Sequence, residues 1–175
     1  KLNLAAEQNI NVLSTASIKG DSAILNALGN ATIDGSIRTH FGQIYAGSNL
    51  IVNGTVKADT LNGSGATGTI NGSLTGKNLN LQIGGDLNLT SAGSLSSKDK
   101  LNIVTGGAMN LAGATEDLAD ATSTSKTYNL TAGTDINISG TLNTSDTLIA
   151  TGRTANITNL VSGKTIGFTM TNGFN

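Results

Sequence analysis

Side chains that could catalyse a reaction or bind a metal are few in this sequence. Its 175 residues include one His, no Cys and 11 Asp and Glu. His40 has no companion His or Cys for a metal site, and no evident Ser or Asp partner for nucleophilic catalysis. We therefore expect His40 to be a surface loop histidine, and we predict no catalytic residue, no metal site and no cofactor.

The densest group of acidic residues comprises Glu116, Asp117 and Asp120. These carboxylates could bind a cation or contact a basic partner, but their spacing matches neither an EF-hand loop nor a nonapeptide calcium repeat. We predict a solvated loop here. Asp86 and Asp135 instead follow short glycine-containing segments, where an Asp side chain typically bonds its own backbone in a turn.

The elements that position these residues are short strands. The stretch 78–95, NLNLQIGGDLNLTSAGSL, holds two Leu-Asn-Leu triplets in which apolar and polar residues alternate. This alternation is typical of a strand with one buried face and one solvated face. The intervening glycines and Asp86 favour a turn. The stretch therefore predicts strand, corner, strand, corner and a third short strand.

The same unit recurs along the chain. Its copies align on Val12, Ile33, Val52, Ile70, Leu89, Leu111, Ile138 and Ile157. The successive differences between these positions are 21, 19, 18, 19, 22, 27 and 19. A period near 19 predicts an all-β fold, a right-handed parallel β-helix (solenoid) of about eight to nine coils.

The repeat covers residues 1–175 as a single segment, which we expect to be a fragment of a longer array. We expect loop insertions near 38–43 and 112–126, where the pattern is interrupted. The central Asn of each triplet should face outward, and these Asn side chains could stack in hydrogen-bonded ladders.

The composition restricts the possible partners. There is no Pro, which would remove a hydrogen bond between coils. The net charge of -1 gives no overall basic field, so we expect no nucleic-acid partner. No apolar run approaches the ~20 residues of a membrane span, and we predict none.

The repeated phrases IGGDLNLTSAGSL, TAGTDINISGTL, GGAMNLAGA and AGSNLIVNGTV share a pattern. It resembles the repeats of filamentous haemagglutinin-like exoproteins, which include adhesins and contact-dependent growth inhibition proteins. The resemblance implies a virulence-associated protein outside the Gram-negative outer membrane, on the cell surface or secreted. It also implies export by an outer-membrane two-partner secretion transporter, and contact with a receptor or glycan on a host cell or neighbouring bacterium.

The resulting hypothesis is a structural and adhesive segment without catalysis. The alternatives are a glycan-binding or glycan-active β-helix and an autotransporter passenger adhesin. Glycan-active β-helices stack several carboxylates on adjacent coils, whereas the acidic residues here are dispersed. Partner contacts are most expected where the repeat is interrupted, because the scaffold does not explain those residues. The candidates are Arg38, His40, Phe41, Tyr45, Glu116, Asp117 and Asp120.

Overall fold

The computed structural model describes residues 1–117 and 126–174, and in those residues the chain is all-β with no helix. The strands are β1 (Leu2–Ala6), β2 (Ile10–Val12), β3 (Ser17–Ala27), β4 (Ala31–Ile33), β5 (Ser36–Ala46), β6 (Asn49–Val52), β7 (Thr55–Gly65), β8 (Thr67–Ile70), β9 (Ser73–Ile83), β10 (Leu87–Leu89), β11 (Ser94–Thr105), β12 (Met109–Leu111), β13 (Ala114–Asp117), β14 (Thr127–Ala132), β15 (Ile136–Ile138), β16 (Leu142–Asn143), β17 (Thr147–Ile157), β18 (Val161–Ser162) and β19 (Thr165–Phe174).

The strands stack as a parallel β-solenoid, which confirms the predicted fold class. In most coils a long strand bends around one corner, and a short strand follows it. The five-residue β1 and the long strands β3, β5, β7, β9 and β11 pair successively and in parallel. The short strands β2, β4, β6, β8, β10, β12 and β15 form a second parallel series. The solenoid has about nine turns with a period of about 19 residues.

The strand register corrects the first predicted insertion. Residues 38–43 lie inside β5, and β5 pairs with β3 in the same register before and after His40, as in Arg38↔Lys19 and Phe41↔Ser22. The segment is therefore a regular corner of the coil. Its polar residues break the apolar alternation because the chain bends there, not because residues are added.

The second predicted insertion, 112–126, begins too early, because 114–117 form a strand, and its residues 118–125 lie outside the described part of the chain. Strand β13 pairs with β11 through Ser97↔Asp117, whereas β14 pairs with the same strand through Lys100↔Thr127. The chain therefore advances further between Asp117 and Thr127 than the facing part of β11 does, and the additional residues lie between these two positions. Residues 114–117 belong to the coil, as a regular strand.

The core consists of stacked columns of apolar side chains. Leu79, Leu81, Leu87 and Leu89 are all buried, as the triplet pattern predicts. Each buried aliphatic side chain contributes about 1.5 to 3 kcal/mol to the free energy of unfolding. Because every coil presents such residues at equivalent positions, the columns run through the stack as one cluster.

One coil, which includes the Gly-rich stretch 63–72, has few large apolar side chains of its own, and side chains of an adjacent coil fill its interior. Gly63 and Gly68 point inward in place of larger apolar residues. A Cβ at Gly63 would lie 2.8 Å from Cδ2 of Leu81, and one at Gly68 would lie 2.8 Å from Cδ1 of Leu87. Leucines of adjacent coils thus occupy the space, and the core stays filled.

Outward-facing Asn side chains form the predicted ladders in part of the stack. Asn110 donates to Asn88 over 2.7 Å, Asn137 donates to Asn110 over 2.7 Å, and Asn156 donates to Asn137 over 2.6 Å. Asn80 donates similarly to Asn62. These bonds link successive coils on the outside of the solenoid, as the backbone ladder does within the sheets.

Candidate functional site

Three cationic side chains stack on one corner of the solenoid. Lys19, Arg38 and Lys57 are direct strand partners in β3, β5 and β7, and all three are exposed. They face outward because their neighbours along the strand, such as Ile37 and Val56, point into the core. We call these three residues the basic column. Within residues 1–117 and 126–174, no hydrogen bond or ion pair engages their side chains.

A small ion-pair network lies beside the basic column. The Asp59 carboxylate contacts Nδ1 of His40 at 2.7 Å and Nζ of Lys77 at 3.2 Å. Since an ionised carboxylate only accepts hydrogen bonds, Nδ1 of His40 is the donor. The hydrogen bond from His40, and then that from Lys77, holds the pKa of Asp59 below its ordinary value. Asp59 therefore remains ionised at neutral pH.

Arg38 and Lys57 of the basic column, together with this network, line an open cleft of about 450 Å³. Its lining includes the cationic side chains of Arg38, Lys57, Lys77 and Lys98 and the ring of His40, and Asp59 supplies its one carboxylate among residues 1–117 and 126–174. The side chain of His40 is 77% exposed, so its ring is available to a ligand. Four permanent cations around one carboxylate favour the binding of an anion.

The near-neutral net charge conceals an uneven distribution. We define the basic corner as the segments 19–21, 38–40, 57–59, 75–77 and 96–100. It holds six of the 10 Lys and Arg but only three of the 11 Asp and Glu. The basic corner therefore carries a charge of about +3, while the rest of the chain is acidic.

The structure separates the first group of predicted contact residues. Arg38 and His40 share the cleft, whereas Phe41 is half-buried and lines a different cleft beside Leu2 and Ile24. Tyr45 lies on the outer face of β5 and is 43% exposed, as the alternation predicts. Of the four residues in this predicted group, only Arg38 and His40 therefore line the cleft.

One residue of the second predicted group, Glu116, lies on the same row of strand partners as the basic column. Arg38 pairs with Lys57, and Lys57 pairs with Thr75 on the next strand. Thr75 in turn pairs with Ser96, which pairs with Glu116. The Glu116 carboxylate accepts a hydrogen bond of 3.4 Å from the Thr141 hydroxyl. Asp117 pairs with Ser97 at the end of β13, and the prediction for Asp120 lies outside the described residues. The column thus changes from basic to acidic along the solenoid axis.

Two sequence predictions about carboxylates are wrong. His40 does have an acidic partner, Asp59, which the next coil brings beside it. Asp86 bonds the next coil rather than its own turn, because its carboxylate accepts a 2.7 Å hydrogen bond from the Ala108 backbone N–H. Asp135 similarly accepts hydrogen bonds from Arg153 and Thr154.

Sequence reasoning missed most of the basic corner. Lys19, Lys57, Asp59, Lys77 and Lys98 are not among the predicted contacts. The signal is nevertheless present, since positions 19, 38 and 57 are all basic and recur at the repeat period itself. Charges at the period of a solenoid must align on one corner.

The surroundings of His40 and Asp59 define which groups the basic corner offers. Within the described part of the chain, no Ser or Thr hydroxyl is hydrogen-bonded to His40, so the His40–Asp59 pair has no attached nucleophile. The same residues contain no group of three or more His, Asp or Glu placed to bind a metal. They also include no helix long and apolar enough to cross a membrane.

Comparison with known proteins gives no matching family model, no matching curated protein and no matching solved structure.

Proposed function

We propose that this chain is a structural and adhesive segment of a large bacterial surface exoprotein of the filamentous haemagglutinin-like type. The solenoid acts as a rigid spacer, and its basic corner contacts a receptor or glycan on a host cell or a neighbouring bacterium. The proposal includes export through an outer-membrane transporter of the two-partner type.

The observation that carries this proposal is the exposure of the basic column on an otherwise regular scaffold. The core and the Asn ladders explain the inward residues and much of the outer face. They do not explain three stacked cations, because like charges directly opposite one another on neighbouring strands destabilise a sheet. A contact function accounts for a surface that disfavours folding.

A glycan-binding β-helix is the second candidate, and the open cleft beside the column favours it over a glycan-active enzyme. In the part of the chain that the structure describes, the cleft holds one carboxylate, that of Asp59, and this carboxylate is engaged by His40 and Lys77. Acid/base hydrolysis of a glycoside uses two carboxylates flanking the bond. Binding of a charged glycan requires only the cationic side chains that line the cleft.

The test uses the parent exoprotein expressed with and without its transporter. We expect surface display to require the transporter and adhesion to other cells to fall when Lys19→Gln, Arg38→Gln and Lys57→Gln are combined. A matched variant with Lys1→Gln, Arg153→Gln and Lys164→Gln removes one Arg and two Lys away from the basic column and should adhere normally. Unchanged adhesion of the first variant, or surface display without any transporter, would refute the proposal.

A further inference from the structure

The basic column is a row of uncompensated charge with a defined geometry. Lys19, Arg38 and Lys57 occupy successive coils, so their Cα atoms are separated by about 4.8 Å along the solenoid axis. Their mutual repulsion would be relieved by an anion whose charges run in the same direction. The ligand that fits such a row is linear and carries charge at regular intervals.

Flanking residues widen the row without covering it. Lys77 and Lys98 line the same cleft, and Thr75 follows Lys57 as its strand partner with a hydroxyl group. Hydroxyl groups and lysines beside a row of cations suit a chain of sugars, which presents hydroxyls between its charged groups. The cleft is open at the surface, so a polymer can enter it from the side.

The lining of the cleft distinguishes a polysaccharide from a nucleic acid. Single-stranded nucleic acids are bound by aromatic side chains on which the bases stack, together with cations. Of the residues that the structure describes, His40 contributes the one aromatic ring in the cleft, and Phe41 and Tyr45 do not line it. The side chains available there recognise charge and hydroxyl groups.

We propose that the basic column, with Lys77 and Lys98, binds a linear acidic polysaccharide carrying one carboxylate per sugar, laid along the solenoid axis. One charge per sugar gives a charge spacing of the same order as the spacing of the coils. This inference deepens the proposed function, on which it rests for its biological setting, by naming the ligand class of the same site.

The test measures binding of the purified chain to polygalacturonate at low ionic strength by biolayer interferometry. The combined variant Lys19→Gln, Arg38→Gln and Lys57→Gln should lose affinity by about tenfold, because three exposed charge contacts are removed. The control variant Lys1→Gln, Arg153→Gln and Lys164→Gln also removes one Arg and two Lys, but from other parts of the surface. It should bind like the unmodified chain.

Two further probes decide what the surface recognises. Fully methyl-esterified polygalacturonate has the same sugar chain without charge, and we expect no binding to it. Equal binding to this neutral polymer, equal losses in both triple variants, or tighter binding of oligothymidylate would overturn the proposal. Matching circular dichroism spectra and melting temperatures verify that both variants fold.

The binding test and the adhesion test can fail separately. Polygalacturonate binding by the purified chain, with normal adhesion of the parent carrying the combined basic-column variant, would support the ligand assignment and refute the adhesive function. Adhesion that depends on the basic corner, without polygalacturonate binding, would refute the ligand assignment alone.

Discussion

At the scale of single residues, Asp59 is the group that most strongly shapes the candidate site. Among the described residues it supplies the one carboxylate of a cleft lined by four cations, and it engages His40 and Lys77. Its negative charge opposes the binding of an anion. Asp59 therefore limits the affinity of the site while fixing the positions of two side chains around it.

We predict that Asp59→Asn strengthens polygalacturonate binding. The substitution removes the opposing charge and releases Lys77 from its ion pair, so that this lysine can contact the ligand. The measurement is the dissociation constant at several ionic strengths, with Asp146→Asn as a control that removes a carboxylate elsewhere. Weaker binding of Asp59→Asn than of this control would show that Asp59 positions the cations rather than opposing the ligand.

The pKa of Asp59 gives a prediction with a definite sign. Because the hydrogen bonds from His40 and Lys77 lower this pKa in the folded state, the unfolded chain binds more protons in the acidic range. The stabilisation from Asp59 is present above the ordinary carboxyl pKa of 3.8 and is lost as the pH falls through the lower folded value. An NMR titration of the carboxyl carbon should give a pKa below 3.8. A value at or above 3.8 would contradict the ion-pair network.

Gly54 and Gly20 form a matched pair for testing how closely the coils approach. A Cβ at Gly54 would fall on the carbonyl oxygen of Gly35 in the preceding coil, whereas a Cβ at Gly20 would meet nothing within 4 Å. We expect Gly54→Ala to lower the free energy of unfolding by about 1 to 3 kcal/mol, because backbone must move. Gly20→Ala should leave it unchanged or raise it by up to ~1 kcal/mol. Urea denaturation measures both, and equal effects would contradict the stacking at this corner.

At the scale of elements, the Asn ladder links successive short strands through their side chains. Asn110 both donates to Asn88 and accepts from Asn137. Asn102 occupies the same central position in its own triplet, yet its side chain forms no hydrogen bond within the described residues. The two residues therefore separate the effect of the ladder from the effect of an Asn in a strand.

We predict that Asn110→Ala lowers the free energy of unfolding by about 1 to 2 kcal/mol, because two side-chain hydrogen bonds are lost and their partners remain. Asn102→Ala should change it by less than ~0.5 kcal/mol. Chemical denaturation with both variants provides the comparison. A larger effect at Asn102 would show that the ladder does not stabilise the stack.

Element positions were predictable where the pattern is local. The triplet Leu79-Asn80-Leu81 encodes its own strand and buried face, so period two was sufficient to place it. The filling of the core around Gly63 was not predictable in this way, because the compensating Leu81 belongs to the next coil. The contacts of His40 were missed for the same reason, since Asp59 approaches only after a full coil has been completed.

At the scale of the whole molecule, parallel stacking gives the solenoid a surface whose charge changes along the axis. The basic column lies on the first coils, and the same row of positions reaches Glu116 several coils later. A chain with a net charge of -1 therefore has a basic region and an acidic region on one side. This arrangement depends on parallel stacking at a constant register.

The most direct test of this account is a distance measured along the column. The chain has no Cys, so Lys19→Cys and Ser96→Cys introduce the only two thiols for spin labels. Lys19, Arg38, Lys57, Thr75 and Ser96 are successive strand partners. Four coil spacings then predict a narrow distance distribution centred at about 19 Å in double electron–electron resonance. A broad distribution centred at about 50 Å, as for a flexible chain of this separation, would contradict the stacked column and the site built on it.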